Sequence, residues 1–375
     1  MQIIKSFFIG LMLMVPFLKT YASELKDSAS FGFDTYSDNN DVQVYSPTFE
    51  LMKTVSKHWL VGIKLRVDAI SAASIRLGSS PALASPDAQS TASKRSGFDD
   101  VRYAPTFFVT YDDGENTATV GGYYSSELDY IGKAVFANYT KQLNQGNTVL
   151  GIGFSQSGDT WSPNNNRVLP KDNRDEQKID LSVNQLLTPT TSIQFVYSYM
   201  YSEGFLSSPY PYMIQDGQFI GFENYPDQRT GHAFAVKGLH YIDDSNIMNF
   251  SYRYYTDDWD IDSHTVSAEW LHDVNDNWMI GARARYYTQT GSNFAKPIGE
   301  YSTSDTYVAS DYRMTAFDSY DFGIPVTYKP SLESPYSFSF SVDYYWTSDN
   351  AYIQNWFGES NIQAIYTTIR VDYEF

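Results

Sequence analysis

Ser337-Phe338-Ser339-Phe340-Ser341-Val342-Asp343-Tyr344-Tyr345-Trp346 is the stretch on which the fold turns. Phe338, Phe340, Val342, Tyr344 and Trp346 share one parity; Ser337, Ser339, Ser341, Asp343 and Tyr345 share the other. Successive side chains of a β-strand point to opposite faces, so this stretch offers one apolar and one polar face. The same alternation recurs in Val61, Ile63, Leu65 and Val67 against Gly62, Lys64, Arg66 and Asp68, and in Leu150, Ile152 and Phe154 against Gly151, Gly153 and Ser155. Helical periodicity is almost absent. Strands of this kind, one face for lipid and one for water, are what a transmembrane β-barrel requires.

Outward from that stretch, the pattern predicts about sixteen strands: 28–36, 42–55, 59–71, 98–111, 117–128, 132–143, 148–158, 175–188, 192–205, 230–242, 247–257, 263–274, 278–291, 314–329, 336–347 and 363–375. The connections alternate in length. Ser56-Lys57-His58, Asp112 to Asn116, Asn144 to Asn147, Thr188 to Thr191, Asp243 to Asn246, Asn275 to Asn277 and Ser331 to Pro335 are tight, whereas 72–97, 159–174, 206–229, 292–313 and 348–362 are long. Outer-membrane barrels have an even strand number, short periplasmic turns and long extracellular loops. The expected fold is therefore all-β: a transmembrane antiparallel up-and-down β-barrel with both termini periplasmic. Closure is physically required, because lipid offers no partner for an open strand edge.

The N-terminus reads as an address. Lys5, the apolar run Phe7 to Leu18 and Thr20-Tyr21-Ala22 make a basic region, a short hydrophobic region and a cleavage site after Ala22. Residues 1–22 are thus expected to be a signal peptide and 23–375 a single barrel domain in the bacterial outer membrane. At the other end, Ile365, Thr367, Ile369, Val371, Tyr373 and Phe375 lie on the outward parity. A terminal aromatic on an alternating strand resembles the assembly signal of outer-membrane barrels, so Phe375 is expected to be read by the barrel-assembly machinery. Trp59, Trp270, Trp278, Trp346 and Tyr328 near strand ends fit interfacial aromatic girdles.

Composition narrows the function. The 375 residues carry 26 Lys plus Arg against 44 Asp plus Glu, a net charge of −18, which disfavours nucleic acid as a partner. Cysteine is absent, which excludes disulfides, thiolate zinc sites and Cys nucleophiles. No apolar run approaches the length of a membrane-spanning helix. Nothing resembles a phosphate-binding glycine loop or a haem attachment motif, and no cofactor or metal is expected.

Four stretches carry a resemblance: Val67-Asp68-Ala69-Ile70-Ser71, Glu223 to Thr230, Tyr252-Arg253-Tyr254-Tyr255-Thr256-Asp257-Asp258-Trp259, and Arg285-Tyr286-Tyr287-Thr288-Gln289. With them the chain resembles an uncharacterised Gram-negative outer-membrane β-barrel family catalogued only as a domain of unknown function. The resemblance implies location and architecture and no activity; it also implies an envelope setting with redox-related neighbours.

Strand parity nominates the lumen charges. Lys64, Arg66 and Asp68 fall inward on one side, and Arg253, Glu269, Arg283 and Arg285 on strands 247–291, where Glu269 is the expected partner of the arginines. Such charges either select small polar solutes and ions or neutralise one another and close the lumen. Loop 72–97, rich in Ala and Ser, reads as mobile; loop 206–229, with Tyr210, Tyr212, Phe219 and Phe222, is apolar enough to fold into the mouth as a lid or to pack on the outer rim. The run Asp257-Asp258-Trp259-Asp260-Ile261-Asp262 reads as solvated charge or as a place for divalent ions bridging to lipopolysaccharide. His232 and His264 near the outer rim lack any distinctive catalytic spacing, so no enzyme is expected. The expected function is a porin-like channel for small polar solutes or ions. The alternative is a closed barrel that binds or scaffolds an envelope partner. Oligomeric state is left open.

Overall fold

The computed structural model describes residues 25–72, 100–128, 130–162, 172–207, 212–215, 218–297, 299–302 and 304–375. Residues 1–22, expected to be a signal peptide, residues 73–97 of the Ala- and Ser-rich stretch, and Tyr210 lie outside these residues.

The strands follow the alternation. They are β1 (Ser28–Asp38), β2 (Val42–Ser56), β3 (Trp59–Ala72), β4 (Asp100–Asp112), β5 (Asn116–Ser126), β6 (Tyr130–Leu143), β7 (Thr148–Trp161), β8 (Asp172–Thr188) and β9 (Thr191–Gly204). A small hairpin, β10 (Tyr212–Gln215) and β11 (Gln218–Phe222), interrupts the series. It resumes with β12 (Gln228–Asp243), β13 (Asn246–Asp257), β14 (Asp262–Asp273), β15 (Trp278–Gln289), β16 (Phe317–Tyr328), β17 (Tyr336–Thr347) and β18 (Gln363–Glu374). Each strand is hydrogen-bonded to its sequence neighbours, with β9 beside β12 across the inserted hairpin, and β1 pairs with β18 to close the barrel. The seam runs in unbroken register from Ser28↔Glu374 to Asp38↔Ala364.

All sixteen strands read from the sequence are in the wall, with ends shifted by a few residues, as at β16, which begins at Phe317 rather than 314. The sequence reading missed the hairpin and a short helix, α1 (Ala351–Phe357), in the last long loop. Asn350 caps α1 by accepting from the backbone N–H of Tyr352 and Ile353, and Gly358, at φ 84°, ends it in the left-handed conformation.

Parity sorts the side chains. Phe31, Ile63, Phe107, Ile152, Phe250 and Phe340 are exposed on the outer wall, whereas Asp68, Thr106, Ser319 and Asp343 on the opposite parity are buried. An apolar belt of this extent, all round a closed sheet, is a lipid-facing surface. Aromatic pairs mark its two rims. Trp278–Tyr328 (4.5 Å) and Tyr336–Tyr373 (4.8 Å) lie at the short-turn end, and Tyr320–Trp346 (5.2 Å) and Tyr286–Tyr320 (5.3 Å) at the long-loop end. The short turns are built by side-chain acceptors: Asp113 takes the N–H groups of Glu115 (3.0 Å) and Asn116 (2.7 Å), which with the Asn116 side chain hold its carboxyl down at about 2.

Candidate functional site in the lumen and its mouth

The inward charges form two unlike walls. On β1–β4, Arg66 bonds Asp34 and Asp68 at 2.8 Å each, Arg102 clasps the other oxygen of Asp68, and Thr368 donates to Asp34 at 3.0 Å. Lys64 stands 3.9 Å from Glu50. This wall is neutralised by its own pairs, and its main members, Asp68 and Arg102, are buried.

On the wall from β13 to β17, Arg283 is held by a fork on Asp343, with Nε donating to Oδ1 at 2.5 Å and Nη2 to Oδ2. The two residues meet across β16 at Gly323, which is paired with Arg283 on one side and with Asp343 on the other. The expected partner, Glu269, sits beside Arg283 in register yet accepts from Asn249 Nδ2 at 2.9 Å instead. The missing side chain at 323 opens a straight path to Asp343, and the planar guanidinium takes the bidentate geometry.

Arg253 and Arg285 are placed differently. Arg285 lies in register with Asp321 and has its guanidinium 5.5 Å from the Tyr287 ring centre. Arg253 lies 5.2 Å from the Tyr255 ring centre and has no ion pair or hydrogen-bonded carboxylate among the described residues. Arg229, three inward positions nearer the mouth along β12 than Ala235, the register partner of Arg253, stacks on Trp259 at 4.5 Å and bonds Asp257. Four inward carboxylates, Asp257, Glu269, Asp321 and Asp343, match these four arginines in number, but Asp257 and Asp343 are taken by Arg229 and Arg283, so the guanidinium of Arg253 meets a ring rather than a carboxylate.

The mouth is roofed by loops that sequence patterning did not assign to it. Gln289 Nε2 donates to the carbonyls of Arg313 (2.9 Å) and Thr315 (2.7 Å), and Tyr312 packs on the inward-facing Phe317 with ring centres 6.0 Å apart. Tyr312, Ile353 of α1 and Ile362 form a buried cluster against the inward-facing Tyr345. The loop between β15 and β16, with α1, is thus the element that folds inward. Loop 206–229, expected as a lid or as packing on the outer rim, contributes Glu223 and Tyr225 to the same roof, and the side chains of Tyr210, Tyr212, Phe219 and Phe222 lie outside the described residues. Of the residues nominated there, Tyr212, Phe219 and Phe222 are on the β10–β11 hairpin, where Tyr212 pairs with Phe222. The chain just after the hairpin braces the inward loop: Asn224 bridges to Val308, and Tyr225, Trp259, Phe294 and Ala309 form a second buried cluster.

The acidic run is a structural turn. Asp257, whose side chain is fully shielded, accepts from Arg229, from Tyr255 OH at 2.8 Å and from the Trp259 and Ile261 N–H groups, which drives Trp259 into the cluster. Asp257 is thus a structural anchor, while Asp258 and Asp260 are exposed as solvated charge; the Trp and Ile inside the run were the available signal. His232 and His264 point outward and bond Tyr197 OH (2.9 Å) and Tyr252 OH (2.7 Å), so they belong to the rim's aromatic girdle.

Glu223 ties the roof together. It is 5% exposed and accepts from Ser310 N (2.6 Å), Ser310 Oγ (2.5 Å) and Tyr225 OH (2.6 Å). Burial first, then the neighbouring Asp311 carboxylate, push its carboxyl up to about 7. A carboxyl raised in this way stabilises the fold most below its unfolded value and loses that contribution as pH rises through the folded one, here between about 4.5 and about 7. The roof is accordingly expected to loosen on going from mildly acid to mildly alkaline pH. Amide exchange at Asn224, Val308 and Ser310, corrected for the intrinsic pH dependence, should lose protection across that window, and Glu223→Gln should flatten the change.

A family model described as "Protein of unknown function (DUF3570)" matches residues 14–173 and 164–373. No curated protein matches the sequence. Among solved structures, one described as a bacterial polysaccharide outer membrane secretin aligns with a TM-score of 0.54 at 7% identity, over 94% of this chain and 99% of that one. A loop L8 deletion mutant of OmpT, an outer membrane protein of Vibrio cholerae, gives 0.49 at 9% identity over 93% and 98%. The outer membrane channel DcaP of Acinetobacter baumannii gives 0.43 at 10% identity over 93% and 96%. At such identities the likeness is one of fold: a sixteen-stranded barrel of the outer-membrane channel type.

Proposed function

We propose that this chain, which belongs to the DUF3570 family, is a porin-like channel that passes small polar solutes, and anions in preference to cations. One observation carries the reading: among the described residues Arg253 faces the lumen without a carboxylate partner, beside Arg285 and across from a neutralised set of pairs. Inside a pore the nearest charges set the field, because the rest of the acidic chain is screened within about 8 Å at physiological salt. Export through cleavage after Ala22 and residence in the outer membrane belong to the same proposal; N-terminal sequencing of outer-membrane fractions should begin at Ser23.

Purified protein in planar bilayers should show stepwise conductance, with a reversal potential under a salt gradient that reports anion selectivity. Arg253→Gln with Arg285→Gln should move that potential toward cation selectivity while heat-modifiable gel mobility stays unchanged, since lumen substitutions tune selectivity without unfolding a barrel. A folded, silent barrel would sink the channel reading. It would favour the closed scaffold, which the inward packing of Tyr312 and Ile353 also suits.

A further inference from the structure

We infer that the lumen wall from β13 to β15 is a binding site for a sugar-sized polyol that carries one carboxylate or phosphate. The inference rests on the lumen being a solute path and names the solute class. Register sets the geometry: Arg253 on β13, Thr265 on β14 and Tyr287 on β15 stand side by side at one level, and Ser251, Ser267 and Arg285 at the next. The outer two strands of the three are roughly 10 Å apart. They carry the long side chains, Tyr255 and Arg253 on one and Tyr287 and Arg285 on the other, while β14 between them offers only Thr265 and Ser267. The result is a trough with aromatic and guanidinium walls and a floor of hydroxyls.

Each part matches a piece of such a ligand. A guanidinium presents a planar fork that fits carboxylate and phosphate alike. Tyrosine rings offer an apolar surface to the C–H face of a sugar ring. Hydroxyls donate or accept, as sugar hydroxyls require of a partner; Ser251 and Ser267 already share one such bond at 2.6 Å. The walls are held before any ligand arrives. Tyr255 OH is bonded to Asp257 (2.8 Å) and Tyr287 OH to Gln289 (2.6 Å), and each ring lies against its own arginine at 5.2 and 5.5 Å. Prior ordering of this kind lowers the entropic cost of binding. A simple anion filter needs the arginines alone; Tyr287 fixed at the Arg253 level and Tyr255 one level nearer the mouth, beside a hydroxyl floor, are accounted for by a ring.

Calorimetric titration of the full chain in detergent tests this with glucuronate, glucose 6-phosphate, glucose, acetate and inorganic phosphate as probes. At least one of the two sugar anions should bind about tenfold or more tightly than glucose and than the small ion bearing its own anionic group, a step of about 1.4 kcal/mol. Which of the two binds more tightly identifies the anionic group. Arg253→Gln and Tyr287→Ala should each weaken that binding about tenfold, whereas Tyr287→Phe, which keeps the ring, should hold it within about threefold. Equal binding of glucose and the sugar anions, binding of acetate or phosphate as tight as theirs, or indifference to Tyr287→Ala would each overturn the site. Titration needs no conductance, so the two failures separate. A silent barrel that binds glucuronate removes the channel and leaves the site; a conducting barrel that binds neither sugar anion removes the site alone.

Discussion

Arg283→Gln is expected to destabilise the barrel by about 3 kcal/mol, because it leaves the Asp343 carboxylate buried without its partner. The figure sits at the low end of the range for breaking a buried pair, since the Arg283 side chain is 37% exposed while Asp343 is 8%. Adding Asp343→Asn should recover most of the loss, as no charge then remains stranded. Gly323→Val should act in the same direction by another route: a Cβ at 323 would lie 1.9 Å from Asp343 Oδ1 and 2.7 Å from Arg283 Nε, so the fork could not close. Ala284→Arg, one residue along on the lipid face near mid-strand, should cost roughly 2–4 kcal/mol. Urea unfolding followed by tryptophan fluorescence measures all four. If Arg283→Gln is as stable as the parent while Ala284→Arg is harmless, the inside and outside of β15 have been exchanged.

Loss of Phe375 is expected to abolish most assembly into the membrane, while Glu374→Ala leaves it nearly intact. Phe375 is exposed on the outer wall, stacks on Tyr373 with ring centres 5.4 Å apart, and lies 5.4 Å from the Lys53 ammonium. Its N–H donates to the Asp27 carbonyl at 3.1 Å, the last rung beyond the β1–β18 seam. Deleting it removes a rung, an aromatic anchor at the short-turn rim and the terminal aromatic together. Glu374 makes only a surface pair with Lys26, both partners more than half exposed, and such pairs contribute little. The heat-modifiable fraction in outer membranes of cells expressing each variant reads the difference. Similar yields from both would show that the terminal aromatic is not what the assembly machinery reads.

The wall was legible because its physics is local. Alternation in β17, or in Val61 to Asp68 of β3, depends only on which side of one strand meets lipid, so residue order alone assigns Phe340 outward and Asp343 inward. Pairing between charges was not legible. Glu269 and Asp343 are both acidic, both inward and both level with Arg283, and only the bare backbone at Gly323 decides between them. The roof was hidden for a different reason. Loops 206–229 and 292–313 carry no period, and the contact that joins them, Glu223 to Ser310, spans 87 residues. The acidic run misled at Asp257 because four carboxylates in six residues look hydrated in a string, although Asp257 spends its oxygens on backbone N–H groups and Arg229.

The seam has a bearing on time as well as on shape. Ser28 pairs with Glu374 and Asp38 with Ala364, so the first strand of the wall finds one of its two neighbours only among the last residues of the chain. Every other wall pairing joins strands that follow one another, apart from β9 with β12. Closing a loop of that length is entropically unfavourable until the hairpins between have brought the ends together, and folds that depend on such distant contacts mature slowly. Through that interval the nascent chain carries two unsatisfied edges, at β1 and at β18, each able to template a wrong neighbour. A ribosome-stalled chain that stops short of residue 363 therefore has no route to a closed ring, however well its hairpins form. Circular permutation that opens the chain at the Asp243–Asn246 turn and joins the old termini through a short linker would turn the slowest pairing into a local one. It would make β12 and β13 the distant pair instead, so the refolding rate in detergent should stay close to the parent's while the last pair to close moves from β1–β18 to β12–β13.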